Sequence, residues 1–98
     1  LSSQESNRNL IWLEKAANQG YFPAHYNLGL HYFKNNSYET TQKAYTHFLI
    51  AAYLNSQNTD HQQHLSSIQN YEKQCELLLS QDTITQCQDT AEQLIQTF

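Results

Sequence analysis

The side chains in this chain that could do chemistry are five histidines, two cysteines and nine carboxylates. His61 and His64 stand three apart beside Asp60, a spacing that can turn two imidazoles toward one metal ion from a single helix face. No third or fourth ligand stands at a matching interval, so the pair reads as exposed helix-face histidines, and no metal or other cofactor is expected. His25, His31 and His47 lack the local pattern of an activated nucleophile, which needs a Ser or Cys, a base and an oxyanion site. With only Gly20 and Gly29, no glycine-rich phosphate loop exists. The chain reads as a binding protein and not an enzyme.

Cys75 lies about five residues before a turn at Ser80–Gln81 and Cys87 about six after it. At ~1.5 Å of rise per residue the two thiols reach nearly the same height on facing stripes. A disulfide asks for Cα atoms within roughly 7 Å. Two outcomes stay open: a bond in an oxidising compartment such as a bacterial periplasm or the exterior, or two small buried thiols in a reducing cytoplasm or after delivery into a host cell.

The elements that would position these groups follow from apolar spacing. Ala24, Leu28 and Tyr32 recur every fourth residue, a polar break follows at Asn35 to Ser37, and Ala44, Phe48 and Ala52 then repeat the interval. That is a helical hairpin with one buried stripe per arm. Pro23 opens the first arm and Phe33 lies near its end, while the second arm runs from Glu39 or Thr40 to about Asn55. Gly29 inside the first arm costs about 1 kcal/mol relative to alanine, which predicts a neighbouring helix too close for a side chain. Asn27, His31 and Lys34, at intervals of four and three, share the polar side of that arm and are the expected partner-binding face. Tyr26, Tyr45 and Tyr53 are candidate aromatic anchors if they are exposed.

On the near side, residues 1–9 are polar and expected to fray, with Ser2 and Glu5 spaced as a capping box. A helix is predicted from about Ser6 to Asn18, ending at Gly20, with Leu10, Leu13 and Ala17 as its stripe and Trp12 off it. On the far side, a polar run at Asn55 to Thr59 precedes a fourth helix from near Asp60, capped with Gln63, whose stripe is Ile68, Tyr71, Cys75 and Leu78. Ser80 then caps a fifth helix, Asp82 suits its positive end, and Ile84, Cys87, Ala91, Leu94 and Phe98 form its stripe.

Composition narrows the partners. The 98 residues suffice for one domain and one core. Only 14% of residues are charged, the net charge is -4, and 22 Asn and Gln make the surface polar mainly through amides. Five scattered Lys and Arg offer no patch for nucleic acid or anionic lipid. The longest apolar run, Phe48 to Leu54, is far short of the roughly 18 residues of a membrane span. The chain opens without Met or a signal-peptide pattern and reads as a processed chain or part of a longer repeat protein.

WLEKAANQG at Trp12 to Gly20, AHYNLGLHY at Ala24 to Tyr32 and KAYTHFLIAA at Lys43 to Ala52 together resemble the Sel-one-like repeat (SLR) family, a branch of the tetratricopeptide-like (TPR) superfamily. The alanine pair at Ala16 recurs at Ala51, 35 residues on, the scale of helical-hairpin repeats. Asn35-Asn36-Ser37 replaces the usual glycine-rich turn, and Tyr53-Leu54 follows the second pair where the family has glycine. The resemblance implies an all-α, right-handed α-α solenoid of about five helices: 1–20 as the end of a preceding repeat, 22–54 as a complete repeat and 60–98 as a capping hairpin. Leu78 to Leu94 is similar to the terminal caps of such proteins. The family position of Trp12 implies packing between the helices of a repeat, and the first helix of a repeat lines the groove that grips a peptide. The implied role is a scaffold or adaptor, often in bacterial envelope, secretion or host-interaction systems and in eukaryotic protein-quality control. A subunit or inhibitor docking through the N-terminal half-repeat is the alternative, with an exposed patch expected along Leu10, Leu13 and Ala17 or their neighbours. A small envelope hydrolase, as proposed for some relatives, would need a nucleophile and base in one pocket, with His47 the residue to change.

Overall fold

Three local devices punctuate the chain into helices. The computed structural model describes residues 2–57 and 64–98, with side chains from residue 9 onward. Gly20, at φ +79°, ends the first helix: its N–H donates to the Ala17 carbonyl at 2.9 Å and that of Tyr21 to Ala16 at 3.2 Å, the paired bonds of a Schellman turn. Asn36 takes φ 56° at the second turn, as the asparagine-rich break predicts. Ser80, extended at ψ 159°, accepts the Thr83 N–H at 3.2 Å and caps the last helix as expected. The result is α1 (Ser2–Asn18), α2 (Phe22–Phe33), α3 (Tyr38–Gln57), α4 (Leu65–Leu78) and α5 (Gln81–Ile95), with no strand among the described residues. The all-α class and the five helices agree with the sequence. The Asp60–Gln63 cap, His61 and the side chains of Ser2 and Glu5 lie outside what is described.

The middle helix carries the fold. Thr41, Ala44, Tyr45, Phe48, Ile50, Ala51 and Asn55 of α3 are all buried, more faces than a single stripe supplies. The reason is that α2, α4 and α5 each pack against α3, while α1 packs chiefly against α2. Gly29 does what its position predicts: a Cβ there would stand 2.7 Å from the ring of Phe48, so its absence lets α3 place a phenylalanine directly on the α2 backbone. That ring stacks on Tyr71 of α4 at 5.0 Å and 3°. Tyr38 at the head of α3 joins the α4–α5 turn, accepting the Ser80 N–H at 3.1 Å and lying 2.9 Å from the Thr83 hydroxyl.

Several expectations are corrected. The first helix begins at Ser2 and not near Ser6, and the third at Tyr38. Trp12 does not pack between helices: it is 68% exposed, because α1 packs chiefly against α2 and turns Trp12 away from the α1–α2 core. In α4 the stripe ends on Leu79 and not Leu78, since Leu79 leaves the helix at φ -104°, ψ 151° and turns its side chain inward. Leu94 and Phe98 extend the α5 stripe but stay partly in solvent. The last two helices, expected as a closing hairpin, each lie chiefly on α3. Among the described residues no helix is long and apolar enough to cross a membrane.

Candidate functional site

A wide groove among the described residues follows from small residues and a tight turn. Ala16 of α1 and Ala24 of α2 leave a gap between their helices, and the Gly20 turn swings Tyr21 across one end of it. The groove, about 800 Å³, is rimmed by Trp12, Tyr21, Pro23 and Asn27, with Lys15 as its cation. Tyr21 is 60% exposed, and neighbouring Ile11 continues the apolar surface along α1. Such a surface binds by covering aromatic and aliphatic area, with amide and ammonium groups at the edge for orientation.

Of the three polar residues expected to meet a partner, Asn27 lies on this rim, while His31 and Lys34 are exposed farther along α2 and do not line it. Tyr26 is half-buried, stacked 6.1 Å from Phe22 and edge-on to Phe48 at 6.3 Å. Tyr45 is a correction: it is fully buried, its hydroxyl donating to Glu76 Oε2 at 2.8 Å, so it is part of the core and offers nothing to a partner. Tyr53 is partly exposed beside Leu49 and Ile95. Of the patch expected on Leu10, Leu13 and Ala17 or their neighbours, the three named residues pack against Ala24 and Leu28, while the neighbours Ile11 and Trp12 are exposed. Cys75 and Cys87 are both free and buried. Cys87 Sγ–H points at the Gln42 carbonyl of α3, 3.6 Å away. Burial, with lesser repulsion from Cys87 and two glutamates, pushes the Cys75 thiol up to about 12.

The sequence reading missed an imidazole pair on a second cleft, lined also by Glu14, Ala17 and Phe98, in which His25 is buried and His47 half-buried. His25 Nε2–H donates to the Ala17 carbonyl at 2.8 Å, and His25 Nδ1 meets His47 Nδ1 at 3.1 Å. Tyr32 stacks on His47 at 5.7 Å and donates to Glu14 Oε1 at 3.1 Å, with Lys43 Nζ 5.4 Å from the Tyr32 ring. Desolvation lowers both histidines, His47 to about 4 with added repulsion from His25. A signal was present: His25 stands eleven residues before Asn36 and His47 eleven after it, the same equal-height argument applied to the cysteines. His64 sits among Phe22 and Tyr26, at 5.8 and 5.3 Å, and among the described residues no three His, Cys, Asp or Glu converge as a metal cluster. No protein-family model matches the chain, and no curated protein or solved structure was found to match it.

Proposed function

We propose that the chain is a protein–protein interaction module, a scaffold or adaptor that receives an apolar segment of a partner protein in the α1–α2 groove. The observation that carries this reading is Trp12, the single tryptophan, standing 68% exposed on the rim of a groove whose other wall is Tyr21 and Pro23. Tryptophan and tyrosine lose little side-chain entropy when covered and dominate measured binding energies, and burying either in full is worth about 1.5–3 kcal/mol. The likeness of Trp12–Gly20 and Ala24–Tyr32 to Sel-one-like repeats supports the same role, and with it a solenoid arrangement and a bacterial envelope, secretion or host-interaction setting. The subunit alternative draws on Ile11, which with Trp12 extends the exposed apolar surface along α1.

Peptide display against the wild-type chain tests the reading. Enriched peptides should carry apolar anchors, and a Trp12→Ala/Tyr21→Ala variant should bind them at least tenfold more weakly. An Asn27→Ala/His31→Ala/Lys34→Glu variant should lose less, since only Asn27 touches the rim. Peptides lost only on the second variant would move the site to the polar face of α2. No enrichment, from a chain whose circular dichroism shows it folded, would overturn the proposal.

A further inference from the structure

α4 runs out in three consecutive leucines, and one of them goes inside. Leu79 is buried, whereas Leu77 and Leu78 stand 87% and 59% exposed, Leu77 more than any other large apolar residue among those described. The turn that carries them is pinned on both sides, by Leu79 in the core and by Tyr38, which accepts the Ser80 N–H at 3.1 Å. An apolar knob already held in place loses little freedom when it is covered.

Charge marks the same end of the molecule. Residues 74–98 carry Glu76, Asp82, Asp89 and Glu92 and no Lys or Arg, while residues 1–73 hold acids and bases in equal number, so the whole net charge of -4 belongs to the last quarter of the chain. Glu76 and Asp82 flank the two leucines in sequence, with Lys73 one turn behind. The α1–α2 groove is the complement: Trp12, Leu13, Tyr21 and Pro23 supply apolar area, and Lys15 is the one charged side chain lining it. Knob and groove lie too far apart to meet within one chain. The Gly20 end of the groove is beside Phe98, past the end of α5, whereas Leu77 and Leu78 precede Ser80, the cap at its start. α5 has 15 residues and is therefore about 22 Å long.

We infer that the Leu77–Leu78 knob of one copy docks into the α1–α2 groove of the next, with its acidic flank toward Lys15, so that the chain associates head to tail. This rests on the groove reading above and names a second copy of the chain as the occupant. Like surfaces do not serve: knob against knob sets Glu76 and Asp82 against their own copies, and groove against groove brings together two lysines and two concave walls. A head-to-tail contact leaves a knob free at one end and a groove at the other, so copies add until a ring closes or an open chain grows. Two leucines between aromatic walls make a small contact, reversible and favoured by concentration.

Sedimentation equilibrium of the wild-type chain from about 10 μM to about 1 mM tests this, with the weight-average mass expected to rise at least about 1.5-fold above the monomer. Raising the salt from about 0.05 to about 0.5 M should reduce the rise. Leu77→Ser/Leu78→Ser and Trp12→Ala/Tyr21→Ala should each stay monomeric. Their equimolar mixture should form a dimer and stop there, since one variant supplies the knob and the other the groove. All four side chains are exposed, so circular dichroism should show both variants folded. Lys15→Glu, also at an exposed position, takes the place of the groove variant should that one not fold. Wild type that stays monomeric at the highest concentration, a mixture that stays monomeric, or association that survives in either variant would each overturn the inference. Peptide display on the Leu77→Ser/Leu78→Ser chain, whose groove is open, separates this from the groove reading. Peptides that bind a chain with no self-association remove the second copy and leave the groove standing; no peptide and no self-association remove both.

Discussion

Two pairs of reactive side chains are placed symmetrically about turns, and they meet opposite fates. His25 and His47 flank Asn36 at equal distance and touch; Cys75 and Cys87 flank Ser80–Gln81 nearly as evenly and remain unbonded. The difference lies in what each hairpin packs against. α2 and α3 lie directly on one another through Gly29 and Phe48, so equal height becomes contact. α4 and α5 each seek the apolar surface of α3, and Cys87 ends against the Gln42 carbonyl. Equal height sets the level of a side chain on its helix, and the packing partner sets the direction it faces.

The strongest way to break the first hairpin is Phe48→Ala. The ring is fully buried, lies on Gly29 and stacks on Tyr71, and its loss should cost about 3–5 kcal/mol in urea unfolding. Gly29→Ala probes the same contact from the other side. A methyl 2.7 Å from a ring that has no room to retreat should cost about 1–3 kcal/mol, less the ~1 kcal/mol alanine gains in a helix. A stabilised Gly29→Ala protein would show that the hairpin is looser than its geometry.

A smaller effect sharpens the contrast across α3. On the α4 side the acid is half-buried Glu72, pushed up to about 7 by burial and by the neighbouring Glu76. A carboxyl raised above its ordinary value contributes its full stability below about pH 4.5 and loses it as pH rises through 7, opposite to the histidines on the α1 side. Glu72→Gln should therefore raise the melting temperature slightly at pH 8 and leave it unchanged at pH 4. A gain of equal size at both pH values would mean that the carboxylate is not the cause. The smallest expected effect is none at all: under mild oxidation the folded chain should keep both thiols, read by intact mass after alkylation in denaturant. A chain that takes up no alkyl group and weighs two mass units less than its reduced form would show that α4 and α5 can close on each other.

Helix class, turn residues and the tight approach at Gly29 were legible because each depends on a few neighbouring residues: the left-handed Asn36, the Schellman glycine and the Ser80 cap are local solutions to unpaired backbone groups. Asn27 was legible as an exposed residue for the same reason, being on the polar side of a clear stripe. Trp12 and Tyr45 were not. Each changes role with the helices packed around it, chiefly α2 for α1 but α2, α4 and α5 for α3, and a periodic pattern reports a face without saying how many faces find a neighbour.

The sequence by itself determined that this chain is five amphipathic helices with a close-packed hairpin at residues 22–54, which the structure extends to Gln57, because hydrogen bonding along the backbone and the 3.6-residue period act within a few turns. Only the tertiary structure decided that α3 is enclosed, that Tyr45 is core while Trp12 is surface, and that two histidines on different helices share a hydrogen bond. Those outcomes depend on side-chain directions across helices, which burial of apolar surface selects for the molecule as a whole.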